Sequence, residues 1–181
     1  MSPTDNIQDC AKLYNNLLNK RYYITLENGI KFEFYFTKQG FAHLLGIHKL
    51  KDIPQLRNIS SEKIFKDILA GKLKHNTLKI SNYYNKISDR VEHFEQILDM
   101  LDITKSNKII INFNKELVSD TKLDNTKFIF YKNESVGYSM LTIGKKSKQY
   151  YPETFFYEDS NRYINEQILL DIVDISVKNL K

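Results

Sequence analysis

The sequence predicts an α+β fold in which helices predominate in residues 1–104 and antiparallel strands predominate in residues 105–181. Apolar residues recur at helical spacing in the first segment, whereas the second consists of short runs rich in β-branched and aromatic residues. No linker rich in glycine, serine or proline divides the chain. We therefore expect one domain over residues 1–181, with its helices packed on a mainly antiparallel sheet of four to five strands.

The chain is expected to begin with a helix and a β-hairpin. Apolar residues at helical spacing predict a helix over about residues 5–19, which Thr4 or Asp5 can cap. A hairpin follows over residues 22–37, because Asn28-Gly29 is a strong signal for a two-residue turn in which both residues take positive φ. One face of its second strand is aromatic and should be core: Phe32, Phe34 and Phe36.

Four further helical segments are expected before residue 105. A short helix over 39–48 is interrupted by Gly46. A second helix begins after a serine cap and ends at a glycine, a third over 75–86 has a weaker pattern, and a fourth begins at Ser88. In the second segment Ser60 or Ser61 is the cap, Leu69 is the last helical residue and Gly71 follows the end. The apolar face of the fourth consists of Val91, Phe94, Ile97, Leu98 and Leu101.

The last eighty residues read as strands. Four segments have strand composition: 108–113, 127–131, 136–143 and 149–157. Residues 168–177 fit either a helix or a strand, and their β-branched density favours a strand. Pro152 cannot donate to a sheet ladder, so its strand should be an edge strand or contain a bulge.

Composition indicates a cytoplasmic protein without a membrane segment. The chain has one cysteine, Cys10, which we expect to be a small core residue in the first helix. It has neither a signal-peptide pattern nor a long apolar run. The net charge is +5, and residues 20–79 hold 12 basic against 5 acidic side chains, while 105–150 hold 9 against 4. If these two stretches converge, they form a cationic face suited to a phosphate backbone; otherwise they are solvated surface.

Two histidines, His43 and His48, stand in an apolar stretch beside lysines. Five residues of unbroken helix would separate them by about 140°, but Gly46 can turn the backbone so that both face the same way. The alternative is that His43 is a hydrogen-bonded core residue. His75 and His93 are expected at the surface. We expect no metal site, because the histidines lack the i, i+4 spacing and no cysteine or carboxylate cluster completes a set.

A second unusual stretch is a basic turn followed by a strand that carries tyrosines and a threonine. The turn contains Lys145, Lys146 and Lys148, and the strand contains Tyr151 and Thr154. An ordinary basic hairpin would have the same composition. The alternative is a phosphate-binding strand in which a bulge at Pro152 redirects the side chains towards the site.

These two stretches resemble a known family. The motifs F-x-H-L-L-G-I-H-K-L at 41–50 and K-x-Y-Y-P-E-T-F-F at 148–156 are similar to those of a phage-associated nuclease-like family. That family is the fourth phage variety grouped with barnase, EndoU, the tRNA-cleaving colicins and RelE. Over roughly residues 22–177, the resemblance implies a barnase/RelE-like fold, with a helical region followed by a four-stranded antiparallel sheet that carries the active site. The superfamily contains metal-independent RNases and RNase toxins, and its catalytic residues differ between branches.

The expected chemistry is RNA cleavage by the 2′-hydroxyl, with a base removing its proton and an acid protonating the leaving oxygen. Histidine suits both roles. We predict that His48 is the general acid or base and that His43 is its partner or orienter. Lys49, with Lys145 or Lys146, is predicted to stabilise the phosphate. Tyr151 is predicted to be a second acid or a stacking ring, and the Thr154 hydroxyl is predicted to donate a hydrogen bond to the phosphate. Further cations predicted to bind nucleic acid are Lys51, Lys148 and Arg162.

No cofactor is expected, and the expected partners are RNA and an antitoxin or inhibitor protein. Two alternatives remain open. One is a non-catalytic nucleic-acid-binding module, such as an inhibitor of a host defence system. The other is a protein–protein effector, or a toxin-like fold that a partner holds inactive. A salt-dependent shift of RNA without any product would indicate the binding module.

Overall fold

The structure, a computed structural model, describes residues 7–180. The expected cap at Thr4 or Asp5 lies outside these residues. Six α-helices are described, and all of them precede residue 101. They are α1 (Ile7–Leu17), α2 (Lys38–Leu44), α3 (Ser61–Leu69), α4 (His75–Lys79), α5 (Ser88–Glu92) and α6 (Gln96–Met100).

Seven strands form one antiparallel sheet in the order β2-β1-β7-β3-β4-β5-β6. The strands are β1 (Lys20–Leu26), β2 (Lys31–Tyr35), β3 (Lys108–Ile111), β4 (Thr126–Asn133), β5 (Tyr138–Lys146), β6 (Gln149–Glu158) and β7 (Ile168–Asn179). The α+β class is confirmed, but the expected count of four to five strands is wrong. The last strand, β7, lies between β1 and β3 and so joins the amino-terminal hairpin to the carboxyl-terminal strands in one sheet. Residues 168–177 are therefore strand, as their β-branched composition favoured.

The sheet curls until its two edge strands approach each other. Gln149 at the start of β6 donates a hydrogen bond from Nε2 to Tyr35 Oη on β2, at 2.8 Å. The rings of Phe32 and Tyr150 lie 5.6 Å apart across the same seam. The sheet is thus a near-barrel, and β6 remains an edge strand whose other side is open to the helices.

The main core lies between the helices and one face of the sheet. Phe32, Phe34 and Phe36 are buried there, which confirms the aromatic face predicted for β2. Cys10 is fully buried in the same core, as expected. A smaller apolar cluster covers the opposite face of the sheet, under the loops before β4 and β7; its buried members are Ile110, Phe113, Val118, Ile129, Met140 and Tyr163.

The structure corrects three local expectations. The hairpin turn is a three-residue loop: Gly29 has φ +84° and Asn28 is not among the residues with positive φ, so a left-handed residue closes a three-residue loop instead of a two-residue turn. The helix expected from Ser88 is two short helices, because the backbone leaves the helical conformation at His93. Leu98 is consequently 44% exposed instead of lying on the core face. The segment 75–86 contains α4 and a separate 3₁₀ turn at Tyr84–Lys86.

None of the helices in the described part of the chain is long and apolar enough to cross a membrane.

Candidate active site

The site begins at the carboxyl end of α2. Thr37 caps this helix by accepting a hydrogen bond from Gly40 N at 3.2 Å. Phe41 and Leu44 are buried, so they fix which side of α2 faces the core and leave His43 exposed on the other side. Gly46 then takes the left-handed conformation at φ +73°, and a 3₁₀ turn follows at Ile47–Lys49.

This turn brings the two histidines together. The rings of His43 and His48 are stacked with their centroids 5.2 Å apart and an angle of 30° between their planes. Both side chains are exposed. The alternative that His43 is a core residue is therefore wrong. The left-handed residue at position 46 is what allows residues five apart to share one face.

Substitution of Gly46 tests this dependence. A Cβ at Gly46 would meet only ordinary contacts, with Lys49 at 3.4 Å and Ile87 at 3.5 Å, so the expected cost is the left-handed backbone itself, about 1–2 kcal/mol of unfolding free energy. Gly29→Ala is the matched control, because Gly29 is also left-handed and has nothing within 4 Å of a built Cβ. We expect both variants to lose similar stability in denaturant titrations and only Gly46→Ala to lose activity. Equal activity of the two would show that the histidine pair does not need this turn.

Arg90 on α5 connects the histidine turn to the sheet. Its Nη1 donates to Leu44 O at 2.8 Å and to Thr154 Oγ1 at 2.9 Å. Burial lowers its pKa to about 10, which still leaves the guanidinium charged at neutral pH. Sequence reasoning did not identify this residue. The available signal was a lone arginine beside the apolar Val91, in a stretch poor in basic residues.

Strand β6 supplies the other side of the site through a β-bulge. Thr142 pairs with Thr154 and Ile143 pairs with Pro152, so Glu153 is the extra residue. Pro152 predicted an edge strand or a bulge, and both are present: β6 is an edge strand and it is also bulged. Glu153 accepts a hydrogen bond from Thr126 Oγ1 and lines the same groove as Thr154.

These elements enclose a groove of about 450 Å³, called here the histidine groove. Its basic side chains include His43, His48, Lys49, Arg90, Lys122 and Arg162. Acidic residues are also present: Glu158 pairs with Arg162 at 2.7 Å, and Asp120 and Glu153 lie on the wall. The groove therefore holds the basic residues of the histidine turn and Arg90 together with the Glu158–Arg162 ion pair.

The electrostatics lower two pKa values in this groove. The His48 pKa is lowered first by the loss of water on the protein side of the ring, and then by the positive charges of His43, Lys49, Arg90 and Lys51. The pKa of Lys49 falls to about 8, again mainly through burial and then through neighbouring cations such as Arg90. A neutral imidazole and an ammonium group that releases its proton near pH 8 thus stand side by side.

The structure brings together five of the predicted site residues and separates the others. His43, His48, Lys49, Thr154 and Arg162 all line the histidine groove. Lys51 follows the 3₁₀ turn and lies close enough to lower the His48 pKa. Four remaining residues lie towards the other end of β6: Lys145, Lys146, Lys148 and Tyr151.

Of these four, two line a different groove, one lies on β5 and one lies on β6. Lys146 and Lys148 line a groove at the β2–β6 seam. Lys145 Nζ lies 4.9 Å from the centre of the Tyr150 ring. The Tyr151 pKa is raised by burial and by the Glu153 carboxylate, so its hydroxyl stays protonated at neutral pH.

The other two histidines are not simple surface residues. His93 lies 2.7 Å from Glu134 Oε2 through its Nδ1, and its ring stacks on Tyr157 at 4.2 Å. His75 Nδ1 accepts a hydrogen bond from Ile7 N at 3.3 Å. Both are partly buried and tie secondary-structure elements together. Within residues 7–180, no group of three or more His, Cys, Asp or Glu side chains is placed to hold a metal ion.

Fold and groove together define a class of protein: a basic α+β domain in which paired imidazoles and cations face an open groove beside an antiparallel sheet. The family described as phage-Barnase-EndoU-ColicinE5/D-RelE like nuclease4 matches residues 6–178. The chain belongs to this phage-associated, nuclease-like family, which agrees with the resemblance of its two motifs. Comparisons with curated proteins and with solved structures found no match.

Proposed function

We propose that the protein is a metal-independent endoribonuclease, or RNase-type toxin, of phage or mobile-element origin. The observation that carries this proposal is the stacked pair of His43 and His48, 5.2 Å apart, in a groove that also contains Lys49 and Arg90. Two groups able to move protons at neutral pH and two cations are the components that phosphodiester cleavage by a 2′-hydroxyl requires. Membership of a nuclease-like family supports the same class of substrate.

In the proposed reaction His48 is the general base. Its lowered pKa keeps the ring neutral near pH 7, so one ring nitrogen can accept the proton of the 2′-hydroxyl. The 2′-oxygen then attacks the adjacent phosphorus, and the bond from phosphorus to the 5′-oxygen breaks. The products are a 2′,3′-cyclic phosphate and a free 5′-hydroxyl.

The remaining groups support the departure of the 5′-oxygen. His43, the partner ring, donates the proton that this oxygen takes up. Lys49 and Arg90 stabilise the charge that develops on the phosphoryl oxygens. The hydroxyl of Thr154 accepts from Arg90 and keeps its own proton for a phosphate oxygen. Tyr151 stands further along β6, where its protonated ring is a stacking surface or a second acid.

Cleavage assays with natural RNA test this function. Purified protein incubated in EDTA with total RNA or with tRNA is expected to give discrete products, and DNA of matching sequence is expected to stay intact because it lacks the 2′-hydroxyl. Loss of all RNA cleavage in EDTA, with recovery on adding a divalent metal, would contradict the metal-independent mechanism. Cleavage of DNA at a similar rate would contradict 2′-hydroxyl attack.

The pH dependence of kcat/KM is a further prediction. Activity needs His48 unprotonated, so the rising limb should lie below the ordinary histidine value of about 6.5. It also needs the proton of His43 and the charge of Lys49, so the falling limb should lie no higher than the lowered Lys49 pKa of about 8. Where loss of the Lys49 charge sets this limb, Lys49→Arg should move it upward and leave the rising limb in place, because arginine stays charged throughout this range. A falling limb unchanged in Lys49→Arg would exclude Lys49 as its cause.

A non-catalytic nucleic-acid-binding or anti-defence effector is the second candidate. The excess of cations near the histidine turn favours it, because the same face can hold a phosphate backbone without cleaving it. An RNA mobility shift that weakens with salt, without products at any pH, would indicate this function. For either candidate we propose a cytoplasmic site of action, with an acidic antitoxin or inhibitor protein as the partner that covers the groove.

A further inference from the structure

A second groove runs along the seam where β2 approaches β6, and it is called here the seam groove. Its volume is about 660 Å³, and it is open along the surface. The residues that matter for its chemistry are Arg21, Lys31, Tyr35, Lys146, Lys148 and Tyr150. None of the residues that line the histidine groove also lines the seam groove.

The seam groove is cationic. Four of its lining side chains are basic, and among the described lining residues Glu33 is the one carboxylate. Glu33 is paired with Arg21, with 2.6 Å between its Oε1 and Arg21 Nη1. The positive charge that faces the groove therefore comes mainly from Lys31, Lys146 and Lys148, which are exposed. Such a strip attracts a phosphate backbone.

Two tyrosine rings stand between these cations and are held in place. The Tyr150 ring packs against Phe32 at 5.6 Å and against Phe128 at 5.4 Å. Tyr35 accepts a hydrogen bond from Gln149 Nε2 through its hydroxyl at 2.8 Å. Both rings are partly exposed. Rigid aromatic surfaces beside cations are what single-stranded nucleic acid uses for base stacking and backbone contact.

The seam groove and the histidine groove lie along the same strand. Gln149, at the start of β6, lines the seam groove, and Thr154 lines the histidine groove. Thr154 lies five positions after Gln149 along the strand, a distance of about 16 Å. Tyr151 lies on the stretch between them. A single-stranded segment of several nucleotides is long enough to span this distance.

We propose that the seam groove binds a single-stranded RNA segment continuous with the strand that is cleaved in the histidine groove. This inference rests on the proposed endoribonuclease function. It gives Lys146 and Lys148 a role in binding the flanking RNA, away from the phosphate that is cleaved. The enzyme should consequently prefer longer single-stranded substrates to short ones.

Binding to an RNA that cannot be cleaved tests the seam groove separately from catalysis. The probe is a fluorescent single-stranded 2′-O-methyl RNA of about ten nucleotides, within the range of site sizes of single-strand-binding folds. Fluorescence anisotropy is measured over a range of salt concentrations for the wild type, for Lys146→Gln/Lys148→Gln and for the matched control Lys72→Gln/Lys79→Gln. The control removes two exposed lysines that line neither groove.

We expect the Lys146/Lys148 variant to bind more weakly and to lower the slope of log K against log salt by about 1.4, or about 0.7 for each lost phosphate contact. The control should keep the wild-type slope. With cleavable RNA, the wild type should show a higher kcat/KM for the longer oligonucleotide than for a dinucleotide, and this advantage should shrink in the variant.

The outcomes separate this inference from the proposed function. If the wild type and the Lys146/Lys148 variant bind the probe equally, the seam groove is not an RNA site, whether or not the protein cleaves RNA. Its lysines would then be available to an acidic protein partner. If the variant binds more weakly but the wild type cleaves no RNA, the seam groove stands and the endoribonuclease function fails.

Discussion

Replacing His48 by alanine is expected to slow RNA cleavage by about 10²–10⁴-fold, the usual contribution of a positioned general acid or base. The His48 side chain is exposed, so its removal should leave the free energy of unfolding nearly unchanged. The loss should appear in kcat, because the ring acts on the reacting hydroxyl more than on substrate binding. Single-turnover rates and denaturant titrations measure the two effects separately.

His75→Gln is the matched control for this substitution. His75 is also a histidine in the helical half of the chain, but it contacts the backbone of Ile7 and lines no part of the histidine groove. We expect His75→Gln to keep the cleavage rate. A folded His48→Ala protein that cleaves RNA as fast as the wild type would remove His48 from the mechanism.

Replacing Arg90 by alanine is expected to lower kcat by about 10²–10³-fold, as for the loss of one donor that stabilises transition-state charge. The same change removes the donor to the Leu44 carbonyl and to Thr154 Oγ1, so it should also cost about 1–3 kcal/mol of unfolding free energy. Activity must therefore be measured well below the unfolding temperature of the variant.

Two further variants separate the charge of Arg90 from its bridging contacts. Arg90→Lys keeps a cation but loses the planar, two-partner geometry. Thr154→Val keeps Arg90 and removes one acceptor. If the guanidinium stabilises the phosphate, both variants should retain more activity than Arg90→Ala. A loss in Arg90→Lys as large as in Arg90→Ala would show that activity needs the bridging geometry of Arg90 and not its charge.

Much of the fold follows from local sequence patterns. The aromatic face of β2 is a two-residue alternation, and Pro152 alone indicates an edge or bulged strand; both features are present. The number of strands could not be read in this way. The pairing of β1 with β7 joins the two ends of the chain, and nothing in the composition of either strand specifies its neighbour.

The site was partly predictable for the same reason. The convergence of His43 and His48 depends on one glycine within the same short segment, so the sequence contains the needed information. Arg90 is 46 residues from Leu44 and 64 residues from Thr154, and only the packed structure brings these three together. Two lysines of the basic turn, Lys146 and Lys148, fall in the seam groove because β6 is extended, which separates its two ends.

The most direct test of the central claim is the chemical identity of the new RNA ends. A defined single-stranded RNA is digested in EDTA, and the products are examined by mass spectrometry. We predict 2′,3′-cyclic phosphate and 5′-hydroxyl ends from the wild type and, at equal protein concentration and digestion time, about 10²-fold fewer such ends, or fewer still, from His48→Ala. Products with 5′-phosphate ends, or identical product yields from the two proteins, would contradict a mechanism in which the histidine groove directs the 2′-hydroxyl at phosphorus.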